Sequence, residues 1–288
     1  MFKVSALRSK EEYTYWFKRI SLTQWQVYYD SKSVATLDES NMVSIAKNSD
    51  ISDNQFHEIL DCFEDFKKIR PEYLVGTKIS DEFLDISDID TDKICALTDY
   101  YNKLITGVYL LTIESEEKAL KLANRCINWL ADTDFYTAPA STIYHDSCTC
   151  GLIKHSLKVV NKALELCMIP TFSDVDITSA VLVALVHDWC KIDFYESYMK
   201  NVKDEETGQW NKVLAYKYSG SKLPFGHGIT SMFIAQKFFN LTTEQALAIR
   251  WHMGEYNVCD AEKHDLMDAN EKYPTVLLLQ HADRLAIL

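Results

Sequence analysis

The chain has 288 residues, 47% of them hydrophobic, long enough for one large domain or two small ones, each with its own core. Its 30 Lys and Arg against 42 Asp and Glu leave a net charge of −12, which disfavours non-specific duplex binding, because that needs clustered cations to displace counterions. There is no apolar run of about eighteen residues and no basic-then-apolar leader, so no membrane partner and no export are expected, and eight scattered cysteines fit reduced thiols in a cytoplasmic setting.

In chain order, residues 1–118 carry the greater acidity, with 14 Lys and Arg against 22 Asp and Glu, while residues 119–288 carry 16 against 20. KEEYTYWFKRI (10–20) reads as helix, TQWQVYYDSKSVATL (23–37) as strand, and SDNQFHEILDCFEDFKKI (52–69) as a capped helix with apolar residues three and four apart. The acidic stretch KISDEFLDISDIDTD (78–92) reads as a solvated loop or helix start in preference to a partner-binding segment. KICALTDYYNKLITGVYLL (93–111) is helical again. From residue 119 onward the pattern is all-helical: helices are expected in SEEKALKLANRCINWLADT, GLIKHSLKVVNKALELCM, SDVDITSAVLVALVHDWCKI, GHGITSMFIAQKFFNL, TTEQALAIRWHM and TVLLLQHADRLAIL. The expected fold class is therefore mainly α, a helical bundle over 119–288 with a smaller accessory region of α or mixed α+β structure over 1–118. No repeat, low-complexity tract or glycine-rich phosphate loop occurs.

The apolar run 181–186 ends in His187 and Asp188, with Lys191 three and four residues on. Neighbouring helical positions are about 100° apart, so the imidazole and the carboxylate can reach one point beyond the helix edge, with Lys191 on the same side. That pairing suits a divalent ion with N and O ligands, but one pair cannot hold it. His155, His227, His252 and Asp283 lie near other apolar helical segments, spaced widely enough to converge from separate helices or their ends. Taken singly, each such histidine is more often a hydrogen-bonded core residue; the ordered set is what points to a metal site.

The order His155, His187–Asp188, Asp283 resembles the HD metal-dependent phosphohydrolase superfamily over roughly residues 119–288, and Lys191 falls where that family places a lysine. The resemblance implies a helical bundle in which Asp188 bridges two divalent ions, His155, His187 and Asp283 hold one of them, and His227 and His252 hold the other. The metal itself, Mn, Fe, Mg, Ni or Zn, is not distinguished by mixed His and Asp ligands. DFYTAPASTIYHDSCTCGLIKHSLKVV and LTTEQALAIRWHMG look most like small HD proteins of phages and prophages, implying a host-cell cytoplasmic setting, with a more distant similarity to HD-type exoribonucleases. Where such proteins carry Gly-Gly before the first ligand helix, this chain has Cys150–Gly151.

The implied chemistry is in-line attack on phosphorus by a metal-activated water between ions about 4 Å apart, with no covalent intermediate. Asp188 belongs to that machinery, and Lys191 and Arg250 are candidates to stabilise charge on the phosphoryl oxygens, a surface role being equally open for Arg250. Other groups have two readings. His145, Cys148 and Cys150 could form a small zinc site or none; His281 is structural; Cys190 is an inert buried thiol; Phe194 and Tyr195 stack a base or pack the core; Glu255 supports catalysis or is solvated. Three functions compete: a phosphohydrolase on a nucleotide or small phosphate ester, a single-strand-specific 3′–5′ exonuclease or phosphodiesterase on RNA or DNA, and a non-catalytic binding protein stabilised by metal. The second needs a basic, aromatic groove leading to the metals, and residues 1–118 show none.

Overall fold

The computed structural model describes residues 2–7, 12–19, 24–29, 32–38, 43–47, 51–69, 74–84, 91–205, 207–220, 223–256 and 258–288. Two compact units divide it, Met1–Leu74 and Val75–Leu288.

The first unit is a meander of five antiparallel strands in sequential order, β1 (Phe2–Leu7), β2 (Glu12–Arg19), β3 (Gln24–Tyr29), β4 (Lys32–Asp38) and β5 (Val43–Lys47), followed by α1 (Asp53–Ile69). Alternate residues Tyr15 and Phe17 of β2, Trp25 and Val27 of β3, and Ala35 and Leu37 of β4 enter one core with Ile59, Cys62 and Phe63 of α1, the period-two pattern of a sheet buried on one face. Ser52 and Gln55 cap α1 reciprocally: Ser52 Oγ accepts the Gln55 N–H at 3.3 Å and Gln55 Oε1 accepts the Ser52 N–H at 3.1 Å. The helix expected over 10–20 is corrected to β2. Its Tyr15 and Phe17 alternate inward, and aromatic residues in alternation favour a pleated surface over a helical one.

The second unit is built from α2 (Asp81–Leu84), α3 (Thr91–Thr112), α4 (Glu116–Ala131), α5 (Gly151–Cys167), α6 (Ile177–Val186), α7 (His227–Ala235), α8 (Thr243–Trp251), α9 (Lys263–Lys272) and α10 (Pro274–Ala286). α6 is buried from Ala180 to Val186 without interruption, as expected of a helix apolar on every side; α5, α3, α8 and α10 pack around it. α3, expected with the accessory region, belongs to this unit. Its Tyr101, Leu104, Ile105 and Val108 are fully buried, and Tyr101 Oη donates to the Leu185 carbonyl at 2.7 Å while accepting Trp189 Nε1–H at 3.0 Å. The unit boundary therefore falls at 74/75, upstream of 118/119. Asn161 of α5 further ties in residue 79, its side-chain amide exchanging two hydrogen bonds with the Ile79 backbone at 2.7 and 2.8 Å.

The all-helical expectation for 119–288 is corrected by an antiparallel ribbon, β6 (Tyr195–Lys203) and β7 (Trp210–Tyr218), inserted between α6 and α7. Its outer residues are solvent-exposed, so no buried stripe marks it in the sequence. No helix among the described residues is long and apolar enough to cross a membrane, and all eight cysteines are free of disulfides.

A chain of residues 75–288 is expected to unfold in one cooperative transition by circular dichroism. A chain of residues 119–288, stripped of the buried face of α3, should lose that transition; equal melting of the two would contradict the assignment of α3.

Candidate metal centre

Four of the six ligand candidates sit at helix ends, not along helices. α6 stops at Val186, His187 caps it, and Asp188 (φ −107°, ψ 18°) leads into a single 3-10 turn over Trp189–Lys191. His227 opens α7 and His252 follows α8. Only His155, in the second turn of α5, and Asp283, in α10, project from helix interiors. Close backbone approach permits this: a Cβ on Gly228 would stand 2.0 Å from the Arg250 carbonyl oxygen, so glycine lets α7 and α8 bring His227 and His252 together.

Asp188 is the hub, only 2% exposed. Its Oδ1 lies 2.8 Å from His227 Nε2 and 3.7 Å from His252 Nε2; its Oδ2 lies 3.5 Å from His155 Nε2, 3.3 Å from His187 Nε2 and 2.7 Å from Lys191 Nζ. On the Oδ2 side, Asp283 Oδ1 stands 3.0 Å from His155 Nε2 and 3.7 Å from His187 Nε2, and the two imidazole nitrogens face each other at 3.3 Å. Two trios of donor atoms result, His155–His187–Asp283 and Asp188–Cys190–His227.

These residues fit divalent ions. Bonds of about 2.0–2.2 Å put neighbouring donors roughly 3.0–3.5 Å apart in octahedral or tetrahedral sites, close to the spacings seen. His187 Nδ1–H donates to the Ala184 carbonyl at 2.8 Å and His252 Nδ1–H to the Ile249 carbonyl at 2.7 Å, which presents both Nε2 atoms as lone-pair donors. His252 Nε2 and His155 Nδ1 are buried without a hydrogen-bond partner. Facing ring nitrogens and an orphaned one are costly without a cation and natural with one. The rim is open at His227 and Asp283, whose side chains are 30% and 18% exposed.

Burial favours the neutral acid at Asp188, but Lys191 and then His187 outweigh it and hold the carboxyl well below its usual range. Burial would likewise lower the Lys191 ammonium, and the Asp188 charge overcomes this and raises it. Asp283, also penalised by burial, is lowered by its hydrogen bond to His155 and the charge of His187. Burial lowers His227 despite its bond to Asp188; at His187, burial is outweighed by Asp188 and the ring is raised. Cys190 is pushed up to about 12 by burial, so without a metal its thiol is protonated.

Residues 152–288 match the HD domain. HD domains are in general metal-dependent phosphohydrolases that bind divalent metals, and the match covers all six ligand candidates. Neither curated proteins nor solved structures gave a match to the chain.

The remaining candidates are placed as follows. Lys191 stands within the HD centre, its ammonium committed to Asp188. Arg250 does not join it: the guanidinium pairs with Glu262 at 2.6 Å and lies over the Trp251 ring at 3.9 Å, because the side chain leaves α8 on the face opposite to the turn that carries His252. Glu255 and His281 are exposed, and His281 packs edge-on to Phe172. Phe194, Tyr195 and Tyr218 pack on one another. Cys148 and Cys150 form no donor cluster with His145 among the described residues. Instead, the His145 ring lies tilted with its centroid 4.7 Å from that of His155, its buried Nε2 lacks a partner, and burial followed by the nearby His155 lowers it to about 4. His145 is thus a neutral imidazole at the edge of the His/Asp cluster. Its loop is fastened by Asp146 (φ 42°), which takes both Lys158 contacts at 3.0 Å and Lys154 at 3.4 Å. At the Cys150–Gly151 step, Cys150 takes φ 62°, a left-handed conformation that glycine would adopt more easily, and a Cβ on Gly151 would lie 1.9 Å from the Asp146 carbonyl oxygen. No spacing rule marks His145, since an irregular loop delivers it.

The metal-free Asp188–Lys191 pair has a definite pH signature. The depressed carboxyl contributes stability that is present above its unfolded value of about 3.9 and lost as pH falls through the folded one; the raised ammonium contributes below about 10.4 and loses it as pH rises further. Asp188→Asn, which leaves a buried ammonium without its anion, should cost the metal-free protein about 3 kcal/mol at pH 7 and distinctly less at pH 3 by urea unfolding. An equal cost at both would contradict the pairing.

Proposed function

We propose that the C-terminal unit hydrolyses a phosphate ester or phosphodiester of a nucleotide at a two-metal centre. The observation that carries this is the division of one buried carboxylate, with Oδ1 turned to His227 and His252 and Oδ2 to His155 and His187. In this reading, His155, His187 and Asp283 would hold one ion and His227 and His252 the other, with Asp188 shared between them. When bound, such ions supply a Lewis acid that activates water and offsets phosphoryl charge.

The chain's own groups complete the site. Lys191 keeps Asp188 ionised and oriented, and the ammonium protons not used by Asp188 would be free to donate to phosphoryl oxygens. The backbone carbonyls of Ala184 and Ile249 fix the tautomers of His187 and His252. His145, kept neutral by burial, adds one uncharged hydrogen-bonding group beside His155. The open rim at His227 and Asp283 leaves room for a substrate, which a closed structural metal site lacks.

Metal-supplemented protein is expected to release phosphate or nucleoside products from at least one member of a panel of nucleotides, cyclic dinucleotides and short single-stranded oligonucleotides. Asp188→Ala should lose at least roughly a thousandfold of that rate, whereas Arg250→Ala should stay within a few-fold of wild type. Turnover that survives Asp188→Ala would contradict the assignment.

A further inference from the structure

We propose that His145 is a positioning residue for His155: its Nε2 accepts, directly or through one water, the Nδ1 proton that His155 must carry to bind metal through Nε2. The inference rests on the proposed metal centre and adds to it the group that aims one of the ligands.

A ligating imidazole needs a partner on its other nitrogen, which fixes the tautomer and the plane of the ring. His187 and His252 find theirs in the carbonyl three residues earlier, Ala184 and Ile249, at 2.8 and 2.7 Å. Both stand just past the end of a helix, where the last carbonyls have no helical N–H to accept. His155 stands instead in the second turn of α5. The corresponding carbonyl, that of Leu152, lies inside the helix, where it accepts the Ser156 hydroxyl at 2.9 Å in addition to a helical N–H. His155 Nδ1 is accordingly buried with no hydrogen-bond partner among the described residues, although its Nε2 faces Asp283 at 3.0 Å and Asp188 at 3.5 Å. The partner has to come from outside α5.

The loop between α4 and α5 brings one. The centroid of the His145 ring lies 4.7 Å from that of His155, and His145 Nε2 is likewise buried without a partner among the described residues. Two such nitrogens on neighbouring rings, one a donor in a ligating His155 and the other with a lone pair to offer, satisfy each other. The loop inverts the usual order of burial to achieve this: Ile143 and Tyr144 stay 73% and 80% exposed, while the polar ring beside them turns in. The same loop is fastened to the helix that carries His155. Asp146 holds Lys158 at 3.0 Å and Lys154 at 3.4 Å, residues just after and just before His155 in α5, and the Leu152 N–H donates to the Ala138 carbonyl at 2.9 Å. Within the loop, Ser141 Oγ donates to the His145 carbonyl at 2.7 Å and accepts the Tyr144 N–H at 3.0 Å. The backbone on both sides of His145 is thereby tied down, and the two rings keep one relative placement.

The test titrates the full chain with Mn2+, reading the free ion by electron paramagnetic resonance, because Mn2+ is little drawn to the eight free thiols. Wild type should fill two sites. His145→Phe keeps the bulk of the ring and loses the acceptor, and it should weaken one site by about ten- to a hundredfold; His145→Ala should do the same. His145→Gln, whose amide oxygen can accept the Nδ1 proton, should stay within a few-fold of wild type. Metal-free melting temperatures should match throughout. Wild-type affinity at both sites in His145→Phe, or equal losses in His145→Phe and His145→Gln, overturns the role and leaves the metal centre standing. No Mn2+ uptake by the folded wild type removes the metal centre and the role with it.

Discussion

A single ionised carboxylate buried inside a helical unit constrains everything around it. Asp188 is 2% exposed, and such a charge is tolerable only if its oxygens are fully engaged. Lys191 meets this need on Oδ2 and His227 on Oδ1, with His155, His187 and His252 completing the surround. The same arrangement that makes the carboxylate affordable in a core leaves several imidazole lone pairs converging on it, and a cluster of that kind is stable chiefly as a ligand shell.

The fold meets this constraint by ending helices where ligands are needed. α6 is an entirely buried apolar rod whose termination at Val186 delivers His187 and Asp188. The turn that follows is braced from α3 through Tyr101, which engages both Leu185 and Trp189, and from α7 through Ser231, whose Oγ accepts the Cys190 N–H at 3.0 Å. α7 and α8 approach at Gly228 so that one contributes its first residue and the other the residue just past its end. The geometry of the cluster is thus a product of helix termination and close packing, and α3 is as much a part of the second unit as the helices that carry the candidate ligands.

Most helices of the second unit were legible because they bury a stripe or a whole rod of apolar residues, and periodicity survives in the sequence wherever burial is one-sided or complete. The clustering of the candidate residues was legible because His187 and Asp188 interrupt such a pattern and because the other donors recur in order. What escaped has physical reasons. β2 hides an inward alternation of Tyr15 and Phe17 among charged residues that mimic a helix face. β6 and β7 bury little along their length, so neither face is marked; only the turn chemistry at Asp204 and Gly208 (φ +70°) and the Tyr and Trp content hinted at a hairpin. α9 is polar around most of its circumference. Arg250 shows that a position near a ligand in sequence does not aim a long side chain, and His145 that an irregular loop can place a ring against a ligand with no spacing signal at all.

Metal content is the most direct test of the central claim that one carboxylate joins two ion sites. Elemental analysis of the purified chain, loaded with a divalent metal and dialysed, should give close to two ions per chain for wild type, close to one for the His227→Ala/His252→Ala double variant, and close to none for Asp188→Ala. Retention of the full wild-type complement by the double variant, or absence of metal from the folded wild type, would contradict the account.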